Sequence, residues 1–204
     1  MSKKPIIVFE GIEGSGKSYH VSKVAKYLEN IKIKYIKIRE PGGSLNSEKI
    51  RKLILNKKSS FDKNTDLLLY LAARSENIQL IKKFHKKRII LIDRFVDSTI
   101  AYQHYGMGID RKVINLINKF LLKNIKADFT FLNIVNKKNL IQRLKKRKSL
   151  NRYDKFNMNF YNKVQKGFLN LVKSNTKFYK VINSNLDIKK NEELILNHIK
   201  KLIK

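Results

Sequence analysis

Apolar and polar residues change period repeatedly along this chain, and the changes read as strand, helix, strand. The run Ile6-Ile7-Val8-Phe9 predicts a buried strand. From Lys17 to about Leu28 the apolar residues Val21, Val24, Ala25 and Leu28 recur at helical spacing, and a second apolar run spans Tyr35 to Ile38. Ile50, Leu53 and Ile54 mark a helix over Glu48 to Leu55, and Leu67, Leu68, Leu71 and Ile78 mark a longer one from about Asn64 to Phe84. Ile89 to Ile92 is apolar throughout and ends on Asp93, the pattern of a parallel strand covered on both faces. Helices follow near Ser98 to Gln103 and Asp110 to Lys123, then a strand over Asp128 to Val135 and a helix over Asn139 to Lys146. Lys148 to Asp154 is polar and reads as a mobile stretch, Asn157 to Val172 as a helix, and Phe178 to Ile182 as a fifth strand. Glu192 to Ile203 closes the chain as an amphipathic helix. This order predicts a three-layer α/β/α fold, a five-stranded parallel sheet with helices on both faces and ligands at the carboxyl ends of its strands. All 204 residues fit one such domain, residues 1–204, without internal repeat or linker.

The predicted strand ends carry the chemistry. After the first comes Gly11-Ile12-Glu13-Gly14-Ser15-Gly16-Lys17-Ser18, which reads G-x-x-x-x-G-K-S between a strand and a helix, the setting a phosphate-binding P-loop requires. Its glycines let successive N–H groups turn inward at a helix N-terminus, where the dipole favours an anion. Lys17 is placed to reach terminal phosphates and Ser18 to ligate Mg²⁺. The second strand runs into Arg39-Glu40-Pro41-Gly42-Gly43, a turn with opposite charges, and Arg51 lies one helix later, a fork of donors suited to phosphate. The third ends at Asp93-Arg94, where an acid beside a P-loop supports Mg²⁺ or its waters. Tyr70 and Arg74 sit four apart on one helical face, an aromatic plane beside a donor fork that suits a nucleobase. Thr99, Tyr102 and Gln103 add further groups able to read a base. Arg147 and Arg152 bracket the mobile stretch, and we expect a lid at about 145–155 that closes on a transferred phosphoryl group.

Composition narrows the choices. The chain has no cysteine, and its histidines, His20, His85, His104 and His198, show no ligand spacing. No apolar run approaches the ~18 residues of a membrane helix, and only Met1 to Lys4 precede the first strand, so we expect a cytoplasmic protein without a signal peptide. Lys and Arg number 46 against 16 acids, a net charge of +30, which points toward nucleic acid. The bases are mostly lysine, however, spread along the chain with abundant Asn and Ile, as compositional bias also produces. A nucleic-acid-stimulated ATPase is therefore the weaker reading.

Taken in order, Glu10 to Ser18, Arg39 to Gly43, Ala72 to Arg74, Asp93-Arg94, Ser98 to Gln103 and the arginine-bearing lid resemble the thymidylate kinases, P-loop nucleoside monophosphate kinases. The resemblance implies transfer of the ATP γ-phosphoryl group to dTMP, giving dTDP, with Mg²⁺, by a homodimer serving dTTP synthesis. The loop lacks arginine while the lid has two, which is similar to the bacterial type with lid-borne catalytic arginines. It also implies roles. Lys17, Asp93, Arg94, Arg147 and Arg152 would be catalytic, Glu13 would accept from the sugar 3'-OH, and Arg39, Glu40 and Pro41 would border the acceptor. Arg51 and Arg94 would hold its phosphate, Tyr70 would stack on thymine, Arg74, Thr99 and Gln103 would address the base edge, and Tyr102 would crowd the 2' position. Tyr70 is more often Phe in that family and Phe95 more often Tyr; Met107 stands where an Arg is expected and Asn151 where an Asp is. A kinase of another deoxynucleotide, or of deoxynucleosides, is the nearest alternative.

Overall fold

The computed structural model describes residues 4–147 and 149–203; Lys148, within the predicted lid, lies outside them. Five strands, β1 (Ile6–Glu10), β2 (Tyr35–Arg39), β3 (Ile89–Asp93), β4 (Phe129–Ile134) and β5 (Tyr179–Asn183), form one sheet in the order β2-β3-β1-β4-β5. All pairings are parallel. Every residue of β1 is buried, as its uninterrupted apolar run requires of a central strand.

The alternate faces of the strands pack on different helices. Ile7, Phe9, Leu91 and Phe131 point to α1 (Lys17–Asn30) and α8 (Ile188–Leu202), meeting Val21, Val24, Leu28, Ile195 and Ile199. Ile6, Val8, Ile90 and Ile92 point the other way, onto Ile78 and Ile81 of α3 (Lys63–Phe84) and Leu122 of α5 (Arg111–Leu122). Each such side chain, fully buried, stabilises the fold by about 1.5–3 kcal/mol. The register sets the site: Phe9 pairs with Asp93 and Asp93 with Arg39, so three strands end level. Because β1 lies between β3 and β4, the chain leaves neighbouring strands toward opposite sides here and opens a crevice at their carboxyl ends.

Several boundaries differ from the sequence expectation for local reasons. Helix α2 (Leu45–Leu55) begins three residues before Glu48, since Ser44 caps it by accepting from the Ser47 N–H. The predicted Ser98–Gln103 helix is α4 (Val96–Thr99) running into a wider π-helical segment, Ile100–Gly106, in which the Met107 N–H bonds to the Tyr102 carbonyl five residues back. After α6 (Lys137–Lys145) the polar stretch is not featureless. It ends in a tight turn, Tyr153–Lys155, with Tyr153 and Asp154 buried, before α7 (Met158–Lys173).

Candidate active site

At the level strand ends a cleft of about 400 Å³ is lined by residues from the P-loop, the β2 and β3 turns, α2, α3, the π-helical segment and the lid. Its floor is the P-loop. Gly11 has φ +137°, and a Cβ there would stand 2.2 Å from the Asn133 carbonyl oxygen, so β4 excludes any side chain at that position. Gly16, at φ +88°, turns the loop into α1. Lys17 folds back over the loop, its Nζ donating to the carbonyl oxygens of Gly11 and Ile12, both at 2.8 Å. Burial, then the charge of Arg94, lowers its pKa from 10.5 to about 7 against the pull of Asp93, Glu13 and Glu10. A phosphate beside that ammonium would supply the counter-charge its surroundings lack. Ser18 donates its hydroxyl to Asp93 Oδ2 at 2.7 Å. Two hard oxygen donors side by side next to a phosphate cradle fit Mg²⁺, which keeps waters and phosphate oxygens as its other ligands. Among the described residues no group of three or more His, Cys, Asp or Glu could cage a metal.

The β3 turn carries the next group. Arg94 adopts φ +72°, left-handed for a residue with a Cβ, while its N–H bonds to the Phe9 carbonyl. Its guanidinium donates to Glu13 Oε1 at 2.8 Å and to the Gly11 carbonyl at 2.9 Å, and lies 5.1 Å from the Tyr102 ring centre. Burial pushes the Glu13 carboxyl up, but Arg94 and Lys17 outweigh it and hold its pKa below 4.5. Tyr102 donates to the other Glu13 oxygen. Beneath the turn Glu10 accepts from the N–H groups of Phe95 and Ser98, at 2.7 and 3.2 Å, and from the Ser98 hydroxyl, which fixes the start of α4. Burial first and Asp97 second raise the Glu10 pKa from 4.5 to about 7.

Beyond Arg94 the cleft is lined by the β2 turn, α2, α3 and the π-helical segment. The Glu40–Pro41 peptide is cis, and Arg51 donates to the Pro41 carbonyl at 2.6 Å. Arg39, half in solvent, pairs with Glu48 at 3.1 Å. Arg74 is 2 % exposed and tied by three elements: Nε to Glu40 at 2.8 Å, Nη1 to Asn118 at 2.8 Å and Nη2 to the Phe95 carbonyl at 2.8 Å. That leaves two of its five N–H groups for a ligand. Tyr70, whose hydroxyl burial keeps protonated, lines the wall. Thr99 and Gln103 are buried at the same wall, and Gln103 Nε2 has no partner among the described residues. An unpaired buried amide at the edge of a cleft is costly unless a ligand satisfies it.

The structure thus brings to one cleft Glu13, Gly14, Gly16, Lys17, Ser18, Arg39, Glu40, Pro41, Arg51, Tyr70, Arg74, Asp93, Arg94, Thr99, Tyr102, Gln103 and Arg147. Gly11, Ile12 and Ser15, the remaining residues of the loop, are buried and do not line the cleft. Arg152 is not brought there: the buried Asp66 of α3 takes its Nη2, and it stacks between Phe61 and Tyr153. Asn151, where an Asp was expected, accepts from the Tyr153 N–H at 2.8 Å, which an amide oxygen does as well as a carboxylate. Arg143, overlooked in the sequence, lines the cleft and bonds to the carbonyls of Gly14 and Ser184 at 2.9 and 2.6 Å. Its one signal was an arginine at a helix end in a chain whose bases are mostly lysine. Asp66 and Tyr153 carried no signal, and Glu10 stood out only as the first residue of the P-loop stretch, since what each does depends on contacts far away in sequence.

Known proteins place this architecture. A family model described as thymidylate kinase matches residues 9–195. The thymidylate kinase of Mycoplasma capricolum subsp. capricolum is 42% identical over 187 residues, 89% of this chain and 88% of that protein. That of Clostridium novyi is 35% identical over 205 residues, 98% of this chain and 100% of its own. The crystal structure of thymidylate kinase from Ehrlichia chaffeensis superposes with a TM-score of 0.79 at 32% identity, covering 98% of this chain and 99% of that one. By the family model and by relatives that match nearly its whole length, the chain belongs to the thymidylate kinase family, ATP-dependent enzymes that phosphorylate dTMP to dTDP.

Proposed function

We infer that the cleft works as two abutting subsites, ATP phosphates on the P-loop and dTMP against the α3 and π-helical wall, with their phosphates meeting between Lys17 and Arg94. The observation that carries this reading is the cluster of Lys17, Arg94 and Arg51 around one cleft that also contains the free amide of Gln103. Residues Gly11 to Ser18 cradle the donor phosphates, flanked by Arg143 at the end of α6 and by Arg147 from the lid, residues 145–155. Ser18 and Asp93 would hold Mg²⁺, which when bound would supply positive charge beside the phosphate oxygens. A dTMP phosphate oxygen is the nucleophile. Its second pKa is near ~6, so it is ionised at neutral pH and needs no general base. Catalysis is then alignment and charge, with Arg94 and Arg51 anchoring the acceptor phosphate and Lys17 and Arg147 following the charge that develops on transfer. Tyr70 stacks on the base, Arg74, Thr99 and Gln103 read its edge, Glu13 accepts from the sugar 3'-OH, and Tyr102 packs at the 2' position. Arg39, Glu40 and Pro41 form the rim.

A second copy of the chain is the natural cover for α5, whose Val113, Leu116 and Phe120 form an exposed apolar stripe of 45, 70 and 76% relative exposure. Phe120→Glu should convert a dimer to a monomer in light scattering. The absence of cysteine from the sequence fits a reducing, cytoplasmic setting on the route to dTTP. The deciding assay couples ADP release to a panel of dTMP, dUMP, dCMP and thymidine, with DNA and RNA as additives. Strong preference for dTMP supports the assignment. Equal turnover of thymidine, or ATP hydrolysis stimulated by DNA and suppressed by salt, would replace it.

A further inference from the structure

We propose that Asp66 is a positioning residue for the acceptor site: it clamps the end of the lid onto α3 so that Tyr153 closes the base pocket. The proposal rests on the reading above that the base lies against Tyr70. Asp66 is 1 % exposed, in the first turn of α3, and both of its carboxylate oxygens are taken by the lid. Oδ1 accepts from Arg152 Nη2 and Oδ2 from the Tyr153 hydroxyl. Tyr70 follows four residues later on the same helical face, so the carboxylate that holds the lid and the ring that stacks on the base share one rigid element.

The clamp places an aromatic ring with care. Tyr153 meets Tyr70 edge-on, with ring centres 5.8 Å apart, and Tyr102 at 5.9 Å. All three tyrosines line the cleft. Tyr153 is further fixed from behind, where Tyr161 donates to its carbonyl at 2.8 Å, and the Arg152 N–H reaches the Leu55 carbonyl of α2 at 3.4 Å. The lid end is thereby joined to α2, α3 and α7, and the ring it carries completes a wall that α3 and the π-helical segment begin. Arg152, an arginine in a lid, is spent on this clamp: its planar fork lies between the Phe61 and Tyr153 rings, 5.4 and 5.2 Å from their centres, and points at Asp66. Asp66 touches no reacting atom. Its effect passes through Tyr153, and so falls on the affinity and selectivity for the nucleoside part of dTMP.

The test compares Asp66→Asn, Tyr153→Phe and their combination with wild type, reading KM for dTMP, KM for ATP and kcat. Asp66→Asn should raise KM for dTMP about tenfold and narrow the preference for dTMP over dUMP, with KM for ATP and kcat within twofold. Tyr153→Phe keeps the ring and loses one bond to Asp66, so about a threefold rise is expected. The double variant should be no worse than Asp66→Asn alone, because the bond that Tyr153→Phe removes is one of the two that Asp66→Asn already weakens. Asp66→Glu, which keeps two acceptors, should recover part of the loss. Additive effects, an equal rise in both KM values, or unchanged KM for dTMP in a folded Asp66→Asn would each overturn the clamp. If Asp66→Asn does not fold, Tyr153→Phe decides alone: an unchanged KM for dTMP overturns the proposal. Wild type that shows no preference for dTMP would instead defeat the underlying reading of the cleft.

Discussion

Arg94 combines a backbone in the left-handed region with the guanidinium we propose as anchor of the acceptor phosphate, and two substitutions separate these. Alanine removes the guanidinium and keeps the unfavourable φ of +72°; glycine removes both. The pair that is lost, Arg94 with Glu13 at 2.8 Å, has side chains only 16 and 11% exposed. Deleting one partner of a pair this buried costs about 3–5 kcal/mol, because Glu13 is left as an uncompensated charge. The left-handed conformation costs about 1–2 kcal/mol for a residue with a Cβ, and glycine gives back about 0.5–1 kcal/mol through the freedom of its unfolded chain. Arg94→Gly should therefore be more stable than Arg94→Ala by roughly 1 kcal/mol, about 2–4 °C in Tm for a chain of this size. Both variants should lose at least ~100-fold in kcat/KM, the usual scale for removing one charged transition-state contact. Thermal and urea unfolding measure the first effect and the coupled assay the second. The pH dependence gives a further check. In wild type Glu13 is held below its usual pKa, so its share of stability is present at neutral pH and lost as pH falls through that lowered value. Without Arg94, burial dominates and the carboxyl rises, so protonation relieves the variant and the gap to wild type narrows toward acid. A glycine variant less stable than the alanine one would refute the backbone argument, and near-normal turnover in either would refute the role given to the guanidinium.

Three other expectations follow from the same geometry. With its pKa lowered to about 7 in the free protein, Lys17 should take up a proton when phosphate binds; calorimetry of ATP binding at pH 8 in buffers of different ionisation enthalpy should show net uptake, and Lys17→Met should abolish it. Glu10 is raised to about 7, so the unfolded chain holds fewer protons than the native one between about pH 4.5 and 7 and stability falls across that window; Glu10→Gln should flatten this slope in urea titrations. Gln103 Nε2 is buried without a partner among the described residues, so Gln103→Leu should leave Tm within a few degrees while raising KM for dTMP about five- to tenfold, the scale of one lost hydrogen bond; a fall in Tm with KM unchanged would make the amide structural.

The architecture was legible because it is written in local patterns. A central parallel strand needs a run such as Ile6 to Phe9, a phosphate cradle needs glycine at positions 11 and 16, and Asp93 stands where an apolar run stops. These depend on neighbours in sequence. Arg152 shows where that kind of inference ends. Its spacing from Arg147 suited a pair of lid arginines, yet its destination is set by Asp66, 86 residues earlier, which the first turn of α3 delivers to the lid. Glu10 is similar: as the last residue of an apolar strand it could have faced solvent or ligand. Instead it is drawn under the β3 turn by N–H groups 85 and 88 residues away. The π-helical segment was read as an ordinary helix because composition does not separate a five-residue hydrogen-bond step from a four-residue one. α7 packs so closely on this segment that a Cβ at Gly106 would stand 2.7 Å from Phe160 and one at Gly167 2.5 Å from Tyr105.

The same long-range pairings answer what the excess of positive charge does in and around the cleft. Of 16 acids set against 46 bases, Glu13, Glu40, Glu48, Asp66 and Asp154 sit on Arg94, Arg74, Arg39, Arg152 and Arg147. In a chain of net charge +30 these guanidinium groups, left unpaired, would repel one another and the buried Lys17. A carboxylate on each holds it in place before any phosphate arrives, so the rotational freedom of those long side chains is lost on folding and not again on binding. The exposed lysines act differently. Their field is screened within about 8–10 Å at ordinary salt, too short to order a ligand in a cleft. Under the proposed reading, a small phosphorylated substrate meets guanidinium groups already held in place, Arg94 by Glu13 and Arg51 by the Pro41 carbonyl, whereas the lysine excess adds a diffuse attraction that any polyanion shares.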